Sequence, residues 1–450
     1  MNICVVGTGY VGLVTGTCLA EIGHRVVCLD NDAQKIGVLN SGGMPIFEPH
    51  LEEIVKSNLQ KGHLSFTSDF SRANDGSEAV FICVGTPPLE NGEADLSAVE
   101  KVTREVACRT KAYKLVIEKS TVPVQTGEHI FRTLRMYCRG EGGHFDVASN
   151  PEFLREGSAV EDFFHPDRIV IGVENSRAEN LLREIYWPIL EKNFRCPVHS
   201  SCPPAPSPHF LVTDIKSAEL IKHASNSFLA TKISFINSIA DLCTKVGADV
   251  EMVARGMGLD PRIGKDFLKA GLGFGGFCFP KDLQAFVRIA EKNGYDFGLL
   301  KEVEKINKNR IEVAVEKIRK ELWVLQDKTV GILGLAFKPH TDDIRFSPAL
   351  ELIRRLKKEG CRVRAFDPRA QERASKEIPD IRYAANAAQV AEGSEALVLA
   401  TEWPEFRELD WEKIRQAMVH PFILDGRNFL DPAKLQTLGF RYEAMGRRSG

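Results

Sequence analysis

One cysteine, Cys278, stands between a glycine turn and a helix start in the run Gly273-Phe274-Gly275-Gly276-Phe277-Cys278-Phe279-Pro280-Lys281-Asp282. Pro280 suits a first helical turn, where its missing N–H loses nothing. Cys278 then lies at a helix N-terminus next to Lys281. Both put positive potential at the sulfur and favour thiolate, the nucleophilic form. The same residue also fits a structural role, because free cysteine is among the most buried residue types. Further on the same theme, Lys222 and Asn226 are four apart and share a helix face. Lys222 reads either as a surface lysine or, inside so apolar a helix, as one with a partner or ligand. Glu152 and Glu156 are also four apart, with Asn150 as the expected N-cap and Pro151 in the first turn. Acids at a helix start suit its dipole with no further role.

A second constellation sits at the N-terminus. The apolar strand Ile3 to Val6 runs into Gly7-Thr8-Gly9-Tyr10-Val11-Gly12. A helix to about Ile22 follows, then Gly23, then a strand from Arg25 to Leu29 that ends at Asp30. The glycines allow a tight turn and close approach of a pyrophosphate to the helix N-terminus. Asp30 falls at the distance from which a carboxylate accepts bonds from a ribose 2′-hydroxyl. It would repel a 2′-phosphate, so the expected cofactor is NAD rather than NADP. Lys35 is near enough to help with the ribose.

These residues need strands that end together. Further strands are expected from Ala79 to Val84, Leu115 to Glu118 and Asp146 to Ser149, each followed by a polar motif. Ligands of an open parallel sheet bind outside the carboxyl ends of its strands. The Pro- and Ser-rich stretch Cys196 to Pro208 (Pro197, Pro203, Pro204, Pro206, Pro208) reads as a boundary or surface loop. A long helix is expected from about Thr213 to Val246, capped by Thr213 or Asp214. Its apolar residues Leu220, Ala224, Phe228, Ile233, Ile236, Ala240 and Cys243 cover more than one stripe, so burial on several sides and a subunit contact are expected. A helix-rich stretch from Phe286 to Leu322 leads to a second α/β pattern. Strands are expected there at Thr329 to Leu333, Arg362 to Phe366, Leu397 to Ala400 and Phe422 to Leu424, with Gly334-Leu335-Ala336-Phe337-Lys338-Pro339 as a degraded glycine loop. Asp367 ends its strand as Asp30 does. Lys338, Arg345 and Arg427 are basic groups suited to a diphosphate. The expected architecture is α/β: two Rossmann-like doubly wound domains, 1–208 and 324–450, joined by a central helical domain, 209–323.

Composition narrows the class. The chain has 450 residues, 43% apolar and 27% charged, with a net charge of -2. That balance gives no electrostatic case for nucleic acid or a membrane surface. No apolar run reaches the roughly 18 residues of a membrane span, and the N-terminus is not a signal peptide. The 11 cysteines are scattered with no Cys-x-x-Cys pair. This favours a reducing, cytoplasmic setting and argues against a disulfide framework and a structural zinc site, so no metal is expected.

The chain resembles the UDP-glucose 6-dehydrogenase family, within the UDP-glucose/GDP-mannose dehydrogenase superfamily. The resemblance rests on Gly7 to Gly12, Glu118 to Pro123, Asn150 to Gly157, Lys222 to Asn226, Asp260 to Gly264, Gly273 to Asp282, Phe337 to Ser347 and Asp425 to Arg427, in the family's order. It implies a four-electron oxidation of UDP-glucose to UDP-glucuronate with NAD. Lys222 and a water held by Asp282 and Thr121 take part in the first oxidation. Cys278 attacks the aldehyde, Lys222 and Asn226 stabilise the oxyanion, and a water activated through Glu152 hydrolyses the thioester. By the same resemblance Gly7, Gly9, Tyr10, Val11, Gly12, Asp30, Lys35, Thr86, Thr121, Glu156, Lys281 and Arg345 hold NAD. Glu152, Phe153, Leu154, Lys222, Asn226, Phe267, Leu268, Lys269, Gly275, Lys338 and Arg427 hold the UDP-sugar. Arg262 reaches across a homodimer interface to the partner's substrate. Phe277, Gln125 and Phe346 depart from the family's usual residues, and Phe277 and Phe346 could tune substrate fit or cofactor affinity. The alternatives are a dehydrogenase of another nucleotide sugar (GDP-mannose or a UDP-N-acetylhexosamine) and a catalytically silent nucleotide-sugar sensor. The intact set Cys278, Lys222, Asn226, Asp282, Thr121 and Glu152 argues against the second.

Overall fold

The computed structural model describes residues 1–138, 144–200, 202 and 206–447. They form two compact units, Met1–Ser225 and Asn226–Gly450. In the first unit the strands are β1 (Asn2–Val6), β2 (Arg25–Leu29), β3 (Leu64–Thr67), β4 (Ala79–Ile82), β5 (Lys114–Glu118), β6 (Phe145–Ser149), β7 (Arg168–Val173) and β8 (His209–Thr213). They order as β3-β2-β1-β4-β5-β6-β7-β8. The first six are parallel, β7 pairs antiparallel with β6, and β8 runs parallel to β7. Order 3-2-1-4-5-6 is that of a doubly wound dinucleotide fold, with its switch point between β1 and β4. Every residue of β4 and β5 is buried, as a strand covered on both faces requires. Alternate residues of β1 feed two cores: Ile3 and Val5 pack with Leu13, Val14 and Leu19 of helix Tyr10–Glu21, while Cys4 and Val6 pack with Val99 and Val106. Pro203 and Pro204 of the expected boundary stretch lie outside the described residues. The first sheet continues through β8 to Thr213.

The second unit carries β9 (Thr329–Leu333), β10 (Arg362–Phe366), β11 (Arg382–Tyr383), β12 (Ala396–Leu399), β13 (Phe422–Asp425) and β14 (Arg441–Ala444). Their order, β11-β10-β9-β12-β13-β14, repeats the same winding in parallel pairs throughout. The α/β class and the paired Rossmann-like sheets are as expected from the strand–loop–helix pattern.

Helix Ile215–Val246 begins in the first unit and continues in the second. Asp214 is its cap, accepting from the Ser217 N–H at 2.9 Å, while Thr213 ends β8. The expectation for its apolar residues needs correction. Ile236, Ala240 and Cys243 are buried as expected, but Leu220, Ala224 and Phe228 are exposed in the chain, and the buried face also carries Glu219, Lys222, His223, Asn226, Ser227, Ser234 and Asn237. Hydrophobicity alone mis-set this part of the face, because Glu219, Lys222, His223, Asn226, Ser234 and Asn237 all have structure to bond to. Glu219 shows how. Its two carboxylate oxygens accept the N–H groups of Gln125 and Gly127, each at 2.7 Å, at the start of helix Thr126–Tyr137.

Burial pushes the Glu219 carboxyl up to about 7 in spite of those two donors and the Lys216 charge. The folded chain holds this proton up to about pH 7, whereas the unfolded chain releases it near the ordinary 4.5. The contribution to stability is therefore full at acidic pH and is lost as pH rises through that window. Glu219→Gln should flatten the decline in unfolding temperature across it; a slope equal to wild type in a calorimetric pH series would refute the assignment.

Candidate active site

In the first unit the nucleotide end is built by the turn after β1. Gly7 has φ +101°, and a Cβ there would meet the Cys83 carbonyl oxygen at 2.6 Å. A Cβ on Gly12 would lie 1.9 Å from the Gly7 carbonyl oxygen. Only glycine lets turn and helix close this tightly. Gly9, by contrast, faces open space on its Cβ side and begins helix Tyr10–Glu21, which no side chain caps. Uncapped N–H groups at an open helix start suit a pyrophosphate. Asp30 ends β2 with Oδ2 accepting from the Thr8 N–H at 2.8 Å, the Thr8 hydroxyl at 2.6 Å and Lys35 Nζ at 3.2 Å. Burial works against ionisation of this carboxyl. The Thr8 and Asp32 hydrogen bonds and the Lys35 charge outweigh it and hold the pKa below the usual carboxylate range. The group thus stays anionic at the end of β2, beside the glycine turn. The donor set fits NAD. Thr86 is buried and donates its hydroxyl to the Thr121 carbonyl at 2.9 Å, joining the β4 and β5 strand ends.

The segment after β6 differs from the expected helix. Asn150 does not cap one, and Glu152 and Glu156 share no helix face, because the next helix is Ala159–Phe164. Asn150 is instead a buried junction: its amide donates to the Val170 carbonyl at 2.9 Å, and its oxygen accepts from Lys119 Nζ at 3.1 Å and the Tyr186 hydroxyl at 2.5 Å. Glu152 turns back on its own loop, accepting the Leu154 N–H at 2.7 Å. Its other oxygen pairs with Lys222 Nζ at 3.2 Å, and both side chains are buried. The Phe153 ring lies beneath Arg168 at 4.1 Å and 5.4 Å from Lys222 Nζ. Lys222 is therefore no surface lysine. Sequence reasoning missed Glu48, whose carboxylate takes the Gly157 N–H at 2.6 Å and the Ala159 N–H at 2.7 Å and meets the Tyr10 hydroxyl. It also missed buried Lys119, whose pKa is lowered by burial despite Cys83, Glu152 and Glu118 nearby. Lys119 lies at the polar end of β5, and that position was the available signal.

In the second unit Cys278 is the first residue of helix Cys278–Lys292, with Phe277 as N-cap. Asp282 is wholly buried one turn on, accepting from the Asn226 amide at 2.6 Å and pairing with buried Lys281 at 2.7 Å. The glycine turn is braced. The Phe274 N–H and carbonyl both bond to Asn307, and a Cβ on Gly275 would lie 2.3 Å from the Phe346 carbonyl oxygen. Arg427 directs its donors at the carbonyls of Ala400, Gly273 and Phe337 at 2.7, 3.2 and 3.1 Å, so the guanidinium fixes this loop. Arg345 grips Asp343 and lies over the Phe277 ring at 4.4 Å, and Lys338 sits 5.6 Å from the Phe337 ring. Leu268 is buried among Ile236, Ala240 and Val250, while Lys269 is exposed and Phe267 takes φ 63°. Arg262 pairs with Asp260 at 2.6 Å and points largely into solvent.

Known proteins resemble the chain along its length. A family model described as the NAD binding domain of the UDP-glucose/GDP-mannose dehydrogenase family matches residues 1–190. The central domain of that family matches residues 216–309, and its UDP binding domain matches 331–432. A UDP-glucose 6-dehydrogenase of Rickettsia felis is 44% identical over 99% of this chain and 96% of its own. UDP-glucose 6-dehydrogenase TuaD of Bacillus subtilis is 43% identical over 99% and 93%. The solved UDP-glucose dehydrogenase of Pyrobaculum islandicum superposes with TM-score 0.89 at 39% identity, over 99% of this chain and 98% of that one.

Removing the Asp30 carboxylate leaves a 2′-phosphate unopposed. Asp30→Ala should weaken NAD binding and narrow the preference over NADP; calorimetric titration with both cofactors giving the wild-type ratio would mean that Asp30 does not read the ribose.

Proposed function

Because the chain belongs to the UDP-glucose/GDP-mannose dehydrogenase family, we propose that it oxidises UDP-glucose to UDP-glucuronate through a covalent Cys278 adduct. Full-length similarity to UDP-glucose 6-dehydrogenases supports the substrate. The observation that carries the chemistry is Cys278 at the first residue of its helix, with a buried Asp282 one turn on, held by Asn226 and Lys281. Each part of the proposed division 1–208, 209–323 and 324–450 contains one matched family region, although β8 (His209–Thr213) still belongs to the first sheet.

Bound NAD⁺ supplies the electron acceptor for both oxidations. Lys222 and a water held by Asp282 and Thr121 take the proton of the C6 hydroxyl. Cys278 Sγ then forms a bond to the C6 aldehyde carbon. The oxygen becomes an oxyanion, which the Lys222 ammonium and the Asn226 amide stabilise. After the second oxidation the sulfur holds a thioester. Glu152 accepts a proton from the attacking water, and the C–S bond breaks to return Cys278 as thiolate. Keeping the aldehyde on sulfur removes any need for it to leave between steps. Val11, Glu156 and the glycine turn serve the cofactor; the backbone of Phe153, Leu154, Phe267, Leu268 and Gly275, with Lys338 and Lys269, serves the UDP-sugar.

The working form is a homodimer in the cytoplasm. Phe228, Phe235 and Leu242 recur every seven residues on the long helix and are exposed by 66%, 49% and 54%. That heptad spacing makes a helix–helix seam. The exposed Arg262 guanidinium is free of the chain's own core and suited to the partner's substrate.

Purified protein should release two NADH per UDP-glucose and little with GDP-mannose or UDP-N-acetylglucosamine; one NADH per sugar would remove the thioester step. Cys278→Ala should keep UDP-glucose affinity and yield no UDP-glucuronate, and Asn226→Ala should lower kcat by about 10²–10³. Normal acid output from the cysteine variant would end the covalent mechanism. Phe228→Glu combined with Leu242→Glu should halve the mass seen by light scattering, and an unchanged mass would place the interface elsewhere.

A further inference from the structure

His165, Cys196, His199 and Cys202 lie in the first unit, apart from the glycine turn, Glu152 and Lys222. Their four donor atoms all fall within 4.8 Å of one another. His165 Nε2 is 3.2 Å from Cys196 Sγ and 3.6 Å from Cys202 Sγ, and Cys196 Sγ is 3.7 Å from His199 Nδ1. Zinc bonds of about 2.3 Å to sulfur and 2.0–2.1 Å to nitrogen set the S···N edges of a tetrahedron at about 3.5 Å. We infer that these four side chains form a structural zinc site.

Three features beyond the distances support this. The donors are two thiols and two imidazoles, a set that selects zinc among common cations. Four protein ligands leave no open position, so the site is structural rather than catalytic. The outer shell is also in place: the other ring nitrogen of His199 faces Glu161 Oε1 at 3.5 Å, and the His199 backbone N–H donates to Cys196 Sγ at 3.3 Å. A carboxylate behind a ligating imidazole fixes the ring's tautomer and orientation. The ion would tie the Cys196 segment, which follows helix Ser176–Leu190, to His165 at the C-terminal end of helix Ala159–Phe164.

This reverses the expectation of no metal. That expectation looked for a Cys-x-x-Cys pair, whereas here the spacing is Cys-x-x-His-x-x-Cys and the remaining ligand is 31 residues from Cys196. A sequence search by cysteine pairs cannot find it.

The test uses the full chain, purified without affinity histidines and dialysed against metal-free buffer. Elemental analysis should find about one zinc per chain, falling to background in Cys196→Ser and Cys202→Ser but not in the control Cys108→Ser. Cobalt replacing zinc in the wild-type protein should show thiolate charge-transfer and tetrahedral d–d bands, a readout that needs no variant to fold. Glu161→Gln should keep the site and weaken zinc by about 10–100-fold. Absence of both zinc and the cobalt spectrum would overturn the site. So would zinc retained in Cys196→Ser, or a Cys196–Cys202 disulfide in peptide mapping of the native protein.

Discussion

A charge taken out of water must find a partner or give up its charge. The long helix Ile215–Val246 is arranged around that constraint. Its inner positions carry Glu219, Lys222, His223, Asn226 and Asn237, which bond to the Gly127 N–H, Glu152, the Val122 carbonyl, Asp282 and the Gly271 N–H. None of these bonds can be lost cheaply, because the group left behind would be buried and unsatisfied. Lys222 and Asn226, the candidate site residues of this helix, are therefore fixed by the same bonds that make the helix stable where it lies. Lys222 and Asn226 sit one turn apart on it, so their separation is set by helix geometry rather than by loops.

The cysteine helix obeys the same constraint in smaller compass. Asp282 is buried and accepts from Asn226 on one oxygen while Lys281 faces the other. Lys281 in turn lies 5.6 Å from the Phe277 ring, which also receives Arg345. Phe277 is unusual before such a cysteine by resemblance, and the structure gives it a clear role. The face of its ring carries two cations beside the helix start. The glycines before it are obligatory where backbone meets backbone, as at Gly275 against Phe346.

Much of this was legible in the residues, for physical reasons that can be named. Strand ends were read within a residue or two at β1, β2, β5, β9, β10 and β13, because buried parallel strands are continuous apolar runs that stop at a polar motif. The helix start at Cys278 was legible from Pro280. What failed was wherever a side chain bonds over long range. Asn150 has the local signature of a cap, yet it spends its amide on strand β7 and Tyr186. Leu220 and Phe228 have the signature of core, yet the polar stripe beside them is the buried one, since tertiary hydrogen bonds repay the desolvation of Glu219 and Lys222. The His165 cluster was invisible because it holds no Cys-x-x-Cys pair: Cys196, His199 and Cys202 are mixed in type, and His165 lies 31 residues away.

The two sheets share one winding, and the residues explain why only the first suits a dinucleotide. Gly7 and Gly334 both take positive φ, and in each case a Cβ would strike the next strand's end. Asp30 and Asp367 both end the second strand and accept N–H groups from the turn. The turns then diverge. Gly9 is open and leads at once into helix Tyr10–Glu21, whereas Ala336 is fully buried and the next helix begins only at Pro348. Asp367 is also saturated, taking Leu335, Ala336 and the Trp403 indole on one oxygen and Arg369 and Ala370 on the other. No lone pair there is left for a ribose, and no helix N-terminus waits for a pyrophosphate. The second turn has kept the strain-bearing glycine and the strand-end aspartate as structure.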